Sequence, residues 1–444
     1  MRVMKFGGTS VGDPARVSNL CEIVRAALPL RPVVVVSAAS KVTDMLLTAA
    51  RKAVDGTVDD AAIVARVTGL LRAFDLPDAL VAQELSGLHD ALRAIAAGRE
   101  ATVALTDLVA SYGERISVRF IAAALSARGV PATAHDAYDV GMVTDDHFGA
   151  ADVVTEAEGL LGEQVTALAM RDTIPVVTGF IGKTRDGRVT TLGRGGSDYS
   201  AALVGAAIGA DEIEIWTDVP GVMSSDPRVV AEAHTIPALS FDEAAELAYF
   251  GAKVLHPKTI HPAVRRGIPV RVKNTFEPAH PGTVITARGD MGARGARAIA
   301  HKRGIAVVNV VSTRMLLAHG FLARIFEVFA RHRVVVDLVA TSEVSVSCTV
   351  DRDDHLDAAL DELRTIGDVT VSRHKTLVCV VAAGLLQDAS VCPRIFAALG
   401  REDIAVELLS MGASAINVSL VVGGDDGERA VRALHRELFQ ERAS

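Results

Sequence analysis

The run Pro32 to Ala39, PVVVVSAA, has no polar side chain before Ser37, the pattern of a strand buried on both faces. Upstream, RVMKF reads as a short strand. In DPARVSNLCEIVRAAL the residues Val17, Leu20, Val24 and Leu28 share one helical face, with Asp13 placed to cap and Pro14 at the first helical position. Strand, glycine loop, helix and strand in that order predict a right-handed parallel crossover. Residues 44 to 129 are rich in Ala and Leu and read mostly as helix. Strands and helices then alternate: IPVVTGFIG a strand, SDYSAALVGAAIGA a helix, EIEIWTD a strand, FDEAAELAYFGAKVL a helix and IPVRVKN a strand. The pattern predicts an α/β fold, an open, mostly parallel sheet with helices on both faces, over residues 1–290.

The stretch PAHPGTVITARGDMGARGARAIAHK is rich in Gly, Pro and Arg and reads as a boundary or linker. Beyond it two blocks share one pattern. FLARIFEVFARHRVVVDLVATSEVSVSCTV and CPRIFAALGREDIAVELLSMGASAINVSLVV each give a helix, a strand, a short turn and a second, alternating strand, with another helix after it. This is an internal repeat of βαββαβ type.

Composition narrows the function. The chain has 444 residues, half of them hydrophobic, enough for two or three cores. A formal charge of −8 argues against a general nucleic-acid binder. No twenty-residue uncharged apolar run occurs, and the N-terminus enters a strand at once without a signal-like stretch, which predicts a cytoplasmic protein. Cys21, Cys348, Cys379 and Cys392 are scattered, as expected of reduced, mostly buried thiols rather than a disulfide or metal framework.

The chain has no GxxxxGK[ST] loop, no GxGxxG after a strand and no HRD or DFG set. In KFGGTS, however, Lys5 ends a strand while Gly7 and Gly8 let backbone N–H groups approach an anion ahead of a helix N-terminus. TTLGRGGSD places Arg194 among Gly193, Gly195 and Gly196, uncrowded for bidentate capture of a carboxylate, with Ser197 a candidate N-cap and Asp198 at the helix start. In WTDVPGVMSSDPR a strand ends at Thr217–Asp218, where ligands gather in open α/β sheets. Taken singly, each residue has a plainer reading. Lys253 in GAKVLHP serves as a charge at a helix C-terminus, Glu114 in SYGERIS as a first-turn acid, Thr43–Asp44 as a cap and Arg228 as a solvated charge.

Together and in order, KFGGTS, the Ser-Ala-x-Ser strand end with the Thr that follows it, the Gly-Glu helix, GFIG, TTLGRGGSD, WTDVPG, DPR, FGAKVLHP and the tandem repeats resemble the aspartokinases of the amino acid kinase family, in particular the single-function, lysine-sensitive type. With the repeats at the end of the 444 residues, no fused homoserine dehydrogenase is expected. The resemblance implies an amino acid kinase-like catalytic domain over 1–290 and two ACT domains, the first over 312–374 and the second, discontinuous, over 296–311 and 375–440. It implies transfer of the γ-phosphoryl group of ATP, with Mg²⁺ carried by the nucleotide and no resident metal, to the side-chain carboxylate of L-aspartate. By the same resemblance Lys5, with Gly7, Gly8 and Asp198, serves the transferring phosphoryl group. Arg194, beside Gly195, Gly196 and Ser197, clamps the α-carboxylate, and Glu114 holds the α-ammonium. Ser37, Thr43 and Phe180 border that pocket. Thr217, Asp218, Met223, Asp226, Arg228 and Lys253 contact ATP, together with Lys5 and Gly8. Met223 stands where relatives often have an aromatic residue.

A kinase of another acidic amino acid or of carbamate, a catalytically silent amino-acid sensor and a structural oligomer are the alternatives. The ionic set Lys5, Glu114, Arg194 and Asp198 favours a working kinase of an α-amino acid with a distal carboxylate. The resemblance further implies a homodimer or dimer of dimers and an amino-acid effector, L-lysine ahead of L-threonine. The effector would lie at Met315, Ala318, Gly320, Phe321, Leu322, Asp337, Ser342 and Glu343. Leu317 and Ala318 replace the His and Ser of lysine-sensitive relatives, so weaker lysine control or a changed effector is expected.

Overall fold

The computed structural model describes residues 1–250, 257–290, 295–316, 319–351, 354–383, 385, 388–412 and 416–440. They fall into two compact units: Met1–Val222 with Pro237–Phe241 and Val254–Gly289, and Met223–Ile236 with Asp242–Lys253 and Asp290–Ser444.

The first unit is built on β1 (Arg2–Phe6), β2 (Pro32–Val36), β3 (Ala132–His135), β4 (Val143–Thr144), β5 (Ile174–Thr178), β6 (Ile181–Thr184), β7 (Val189–Thr191), β8 (Glu212–Thr217), β9 (Ala238–Ser240), β10 (Val270–Asn274) and β11 (Thr283–Thr286). Its helices are α1 (Pro14–Ala26), α2 (Val42–Val54), α3 (Ala61–Arg72), α4 (Ala82–Gly98), α5 (Val103–Ala127), α6 (Ala157–Ala169) and α7 (Gly196–Ile208). It also has α9 (Pro257–Arg266), whereas α8 (Phe241–Tyr249), which precedes α9 in the chain, belongs from Asp242 on to the second unit. The main sheet has the order β3-β5-β2-β1-β8-β10-β11-β9, and β4, β6 and β7 form a small second sheet. Central β1 pairs in parallel with β2 and β8, so Lys5 lies opposite Val35 and Ile215. Every residue of β2 is buried, as its unbroken apolar run requires. The N-terminus of α1 is as expected: the Asp13 carboxylate accepts the Arg16 N–H at 3.1 Å and Pro14 opens the helix.

The periodicity misplaced some boundaries. IPVVTGFIG is two strands, because Phe180 sits at φ 66° and turns the chain between β5 and β6. PAHPGTVITARG is no linker, since it contains β11, which pairs with β10 and β9.

The second unit carries β12 (Gly295–Val311), β13 (Val336–Thr341), β14 (Ser345–Val350), β15 (Asp368–Ala383), β16 (Leu408–Ser410) and β17 (Asn417–Gly423). Its helices include α10 (Phe321–Arg331), α11 (Leu356–Leu363), α12 (Val391–Arg401) and α13 (Gly427–His435). The two repeats share one sheet, in the order β13-β14-β12-β15-β17-β16. The long antiparallel pair β12–β15 runs through both, with register shifts around Gly304 (φ 76°) where one repeat gives way to the other. Each repeat keeps its own core. Phe321, Ile325 and Phe329 of α10 pack with Leu356 and Leu360 of α11, while Ile395 and Leu399 of α12 pack with Val431 and Leu434 of α13. Within this unit the Ile299 N–H donates to the Ser224 carbonyl at 2.8 Å, which ties the 223–236 excursion to β12.

Candidate active site

Four candidate residues of the first unit lie at or near the carboxyl ends of parallel strands of the main sheet, where strand ends leave backbone groups and loops free to meet a ligand. Lys5 stands in β1, Ser37 directly follows β2, Phe180 follows β5 and Thr217 ends β8. Lys5 is only 8% exposed, and its Nζ lies 2.6 Å from Asp198 Oδ1. A buried ammonium needs such a partner, because desolvating an unpaired charge costs several kcal/mol. Gly7 lies beside the amine, and a Cβ there would stand at ordinary contact distance, 3.5 Å, from Lys5 Nζ. The constraint at Gly8 is stricter, since a Cβ would come within 2.8 Å of the Ala38 carbonyl oxygen. That close approach joins the KFGG loop to the Ser37–Ser40 loop, and the Ser40 N–H donates to the Gly8 carbonyl at 3.0 Å.

Glu114 is not a first-turn acid. Helix α5 starts at Val103 behind its Thr102 cap, so Glu114 lies in mid-helix, 3% exposed. Its Oε1 accepts the Ala38 N–H at 3.0 Å, while Oε2 is buried with no hydrogen-bond partner. Burial raises its pKa to about 8, only partly offset by the Ala38 N–H. Such a carboxyl is destabilised until a cation reaches it.

The TTLGRGGSD segment supplies the opposite charge. Helix α7 begins at Gly196 with Gly195 at φ 72° as its cap, so Ser197 lies inside the first turn and does not cap. Left-handed backbone at Gly193 and Gly195 brackets Arg194, which is exposed. The Gly179–Phe180 corner packs on this turn: a Cβ at Gly196 would lie 2.7 Å from the Phe180 ring, and one at Gly179 as close to Ser197 Cβ. Thr43 is in the first turn of α2 rather than at its cap, which is Lys41. The Thr217 hydroxyl donates to Asp218 at 3.2 Å, and Asp218 is exposed.

The remaining nucleotide candidates belong to the second unit. Asp226 accepts both the backbone N–H and the guanidinium of Arg228, at 2.9 and 2.6 Å, and this partner holds its carboxyl below the usual carboxylate range. Met223 bridges to Thr235. Lys253 lies outside the described residues.

Of the effector candidates, Gly320 caps α10 at φ 76° and leaves the first N–H groups of that helix, at Phe321 and Leu322, outside its ladder. The Phe321 side chain itself is a core residue. Met315 is half-buried, Glu343 is exposed and Ser342 Oγ is engaged with Ser345 Oγ at 2.7 Å, whereas Ala318 lies outside the described residues. Asp337 already has partners within the chain. Lys302 Nζ approaches it at 3.5 Å and also binds Asp351, and the Tyr249 hydroxyl donates to it. Burial, aided by the neighbouring Asp351, raises the Asp337 pKa to about 6. Sequence reasoning passed over Lys302 and Tyr249, which tertiary folding alone brings to Asp337. It also passed over Asp107, although Asp107 and Glu114 stand seven positions apart in one helix, a spacing that puts both on one face.

Comparison with known proteins agrees with this geometry. The amino acid kinase family matches residues 1–274, and an ACT domain family matches 308–364 and 378–438. Aspartokinase 3, chloroplastic, of Arabidopsis thaliana is 39% identical over 99% of this chain and 81% of its own length. Lysine-sensitive aspartokinase 3 of Escherichia coli is 36% identical over 99% of both chains. The crystal structure of E. coli aspartokinase III in complex with aspartate and ADP superposes with a TM-score of 0.81 at 34% identity, covering 99% of this chain and 100% of that one. With a paired lysine, a buried glutamate and a glycine-flanked arginine in its first unit, this chain belongs to the amino acid kinase family, as an aspartokinase with C-terminal ACT domains.

Proposed function

We propose that Glu114 and Arg194 bind the α-ammonium and α-carboxylate of L-aspartate, and that Lys5 serves phosphoryl transfer from ATP to its side-chain carboxylate, yielding 4-phospho-L-aspartate. The observation that carries the reading is the buried Glu114 carboxylate with one oxygen unpartnered, a receptor for an ammonium group. An ionised carboxylate is already a nucleophile, so the site needs alignment and charge neutralisation rather than a strong base. Lys5, held by Asp198, is oriented before substrate arrives and meets the charge that develops on the transferring group. Thr217 and Asp218, at the end of β8, would contact the nucleotide. Mg²⁺ would enter with the triphosphate and neutralise part of its charge. With L-aspartate, ATP and Mg²⁺, hydroxylamine should trap an acyl phosphate, and L-glutamate should give about 100-fold less, because one extra methylene moves the carboxylate out of line. Equal rates on the two acids would overturn the assignment.

Regulation by a cationic amino acid fits the Gly320–Leu322 turn and Asp337, and the similar E. coli enzyme is named lysine-sensitive. Here Lys302 competes for Asp337. Lys302→Met should therefore lower the lysine concentration for half-inhibition, by about three- to tenfold, the range for one regained hydrogen bond. An unchanged or weaker response in an inhibitor titration would remove Asp337 from the effector site. A homodimer built on the ACT domains is supported by exposed apolar side chains at the outer strands: Val335 before β13, Leu409 in β16 and Met411 after it are 67%, 45% and 48% exposed. No helix among the described residues is long and apolar enough to cross a membrane.

A further inference from the structure

We infer that Asp107 is a positioning residue for the amino-acid substrate: it fixes the loop that carries Arg194 to the same helix face that carries Glu114. The inference rests on the roles proposed above for Arg194 and Glu114.

Asp107 is 3% exposed in the second turn of α5, and its side-chain hydrogen bonds run to segments distant in sequence. Its Oδ2 accepts the N–H groups of Gly149 and Thr191, each at 2.9 Å, and its Oδ1 accepts the Thr191 hydroxyl at 2.9 Å. The two strapped segments also hold each other. The Ala151 N–H donates to the Thr191 carbonyl at 2.9 Å, and a Cβ at Gly193 would lie 3.3 Å from the Gly149 carbonyl oxygen. Arg194 is the next residue. It has left-handed glycines on both sides and is itself exposed, so the anchor for its loop is at Thr191 rather than at its own side chain. Two helical turns further along α5, Glu114 takes the Ala38 N–H. One rigid helix thus spaces the two loops of the amino-acid site through two carboxylates on one face, about 10 Å apart at the rise of an α-helix. The spacing sets how far the α-carboxylate clamp stands from the α-ammonium receptor. It leaves the nucleotide contacts out.

The hydrogen-bond pattern makes the idea testable. An asparagine at 107 keeps a carbonyl oxygen where the two backbone N–H groups converge, and its amide can donate to the Thr191 hydroxyl, which turns to accept. Alanine provides neither. Steady-state kinetics on the full chain, with hydroxylamine trapping of the product, should show Asp107→Ala raising the aspartate KM about tenfold or more. The ATP KM and kcat should stay within about threefold. Asp107→Asn should remain within about threefold of the parent, and Thr191→Val should give a smaller rise in the aspartate KM alone. Adding Asp107→Ala to Arg194→Ala should produce little further rise, since both act through one clamp. A purely structural role would move the ATP and aspartate constants together, and that outcome overturns the inference. So does Asp107→Asn as damaging as Asp107→Ala, or full additivity with Arg194→Ala. If Asp107→Ala fails to fold, an unchanged aspartate KM in Thr191→Val overturns it instead. Arg194→Ala separates the layers: no change in its aspartate KM overturns the clamp itself. A large rise there with none in Asp107→Ala or Thr191→Val overturns only the role of Asp107.

Discussion

Replacing Lys5 by methionine should lower kcat about 100- to 1000-fold while leaving the aspartate KM within about threefold, the size expected when one pre-oriented charge is removed from a developing transition state. Methionine follows the lysine chain as far as Cε and adds no bulk, so the close approach of Gly8 to the Ala38 carbonyl survives. What it leaves behind is Asp198, now a half-buried carboxylate without its counter-ion, and the fold should lose stability along with activity. Adding Asp198→Asn to Lys5→Met should restore much of the melting temperature and none of the rate. Retention of more than a tenth of the parent kcat by Lys5→Met, at saturating ATP and aspartate, would place the phosphoryl-transfer charge elsewhere.

Glu114→Gln should raise the aspartate KM about 10- to 150-fold, since a hydrogen bond to a charged group contributes about 1.5–3 kcal/mol. The same substitution should stabilise the empty protein at high pH. The folded-state pKa of Glu114 is raised to about 8 from 4.5, chiefly by burial, so the folded state keeps a proton that the unfolded chain loses first. The stability this proton confers is complete below about pH 4.5 and is lost as pH rises through about 8. Glutamine does not titrate, so the melting temperature of the variant relative to the parent should climb across that window. Binding adds its own signature. The α-ammonium of aspartate favours the ionised glutamate, so binding at neutral pH should release a proton, and the parent's aspartate KM should fall as pH rises toward 8. A pH-independent KM, or a difference in melting temperature that is flat between pH 5 and pH 8, would show that Glu114 is not the titrating receptor. A functional group held at a cost to stability is a frequent feature of ligand sites.

The apolar run of β2, the Asp13–Pro14 start of α1 and the repeated helix–strand–strand–helix blocks were legible because they depend on local periodicity and capping, which a linear pattern carries directly. Glycine-rich turns were legible for a similar reason: Gly8 and Gly195 mark places where backbone must approach backbone or turn left-handed. Strand ends were less so. Phe180 takes a left-handed conformation that its residue type does not announce, and the Gly196–Ser197 turn packed against it holds that corner. The roles of the charged residues lay further out of reach. In sequence, Glu114 looked like a first-turn acid and Asp107 like nothing in particular. Only the full extent of α5 shows that one carboxylate is buried with a free oxygen and the other is spent on three donors from two distant segments. The pairing of Lys5 with Asp198 joins residues 193 positions apart, and the hold of Lys302 on Asp337 joins two strands across the second unit's sheet. Periodicity reports which face of an element is buried. What that face meets depends on the order in which strands assemble into a sheet, and that order is decided by tertiary packing, where each charge taken out of water must find a partner or keep a vacancy for its ligand.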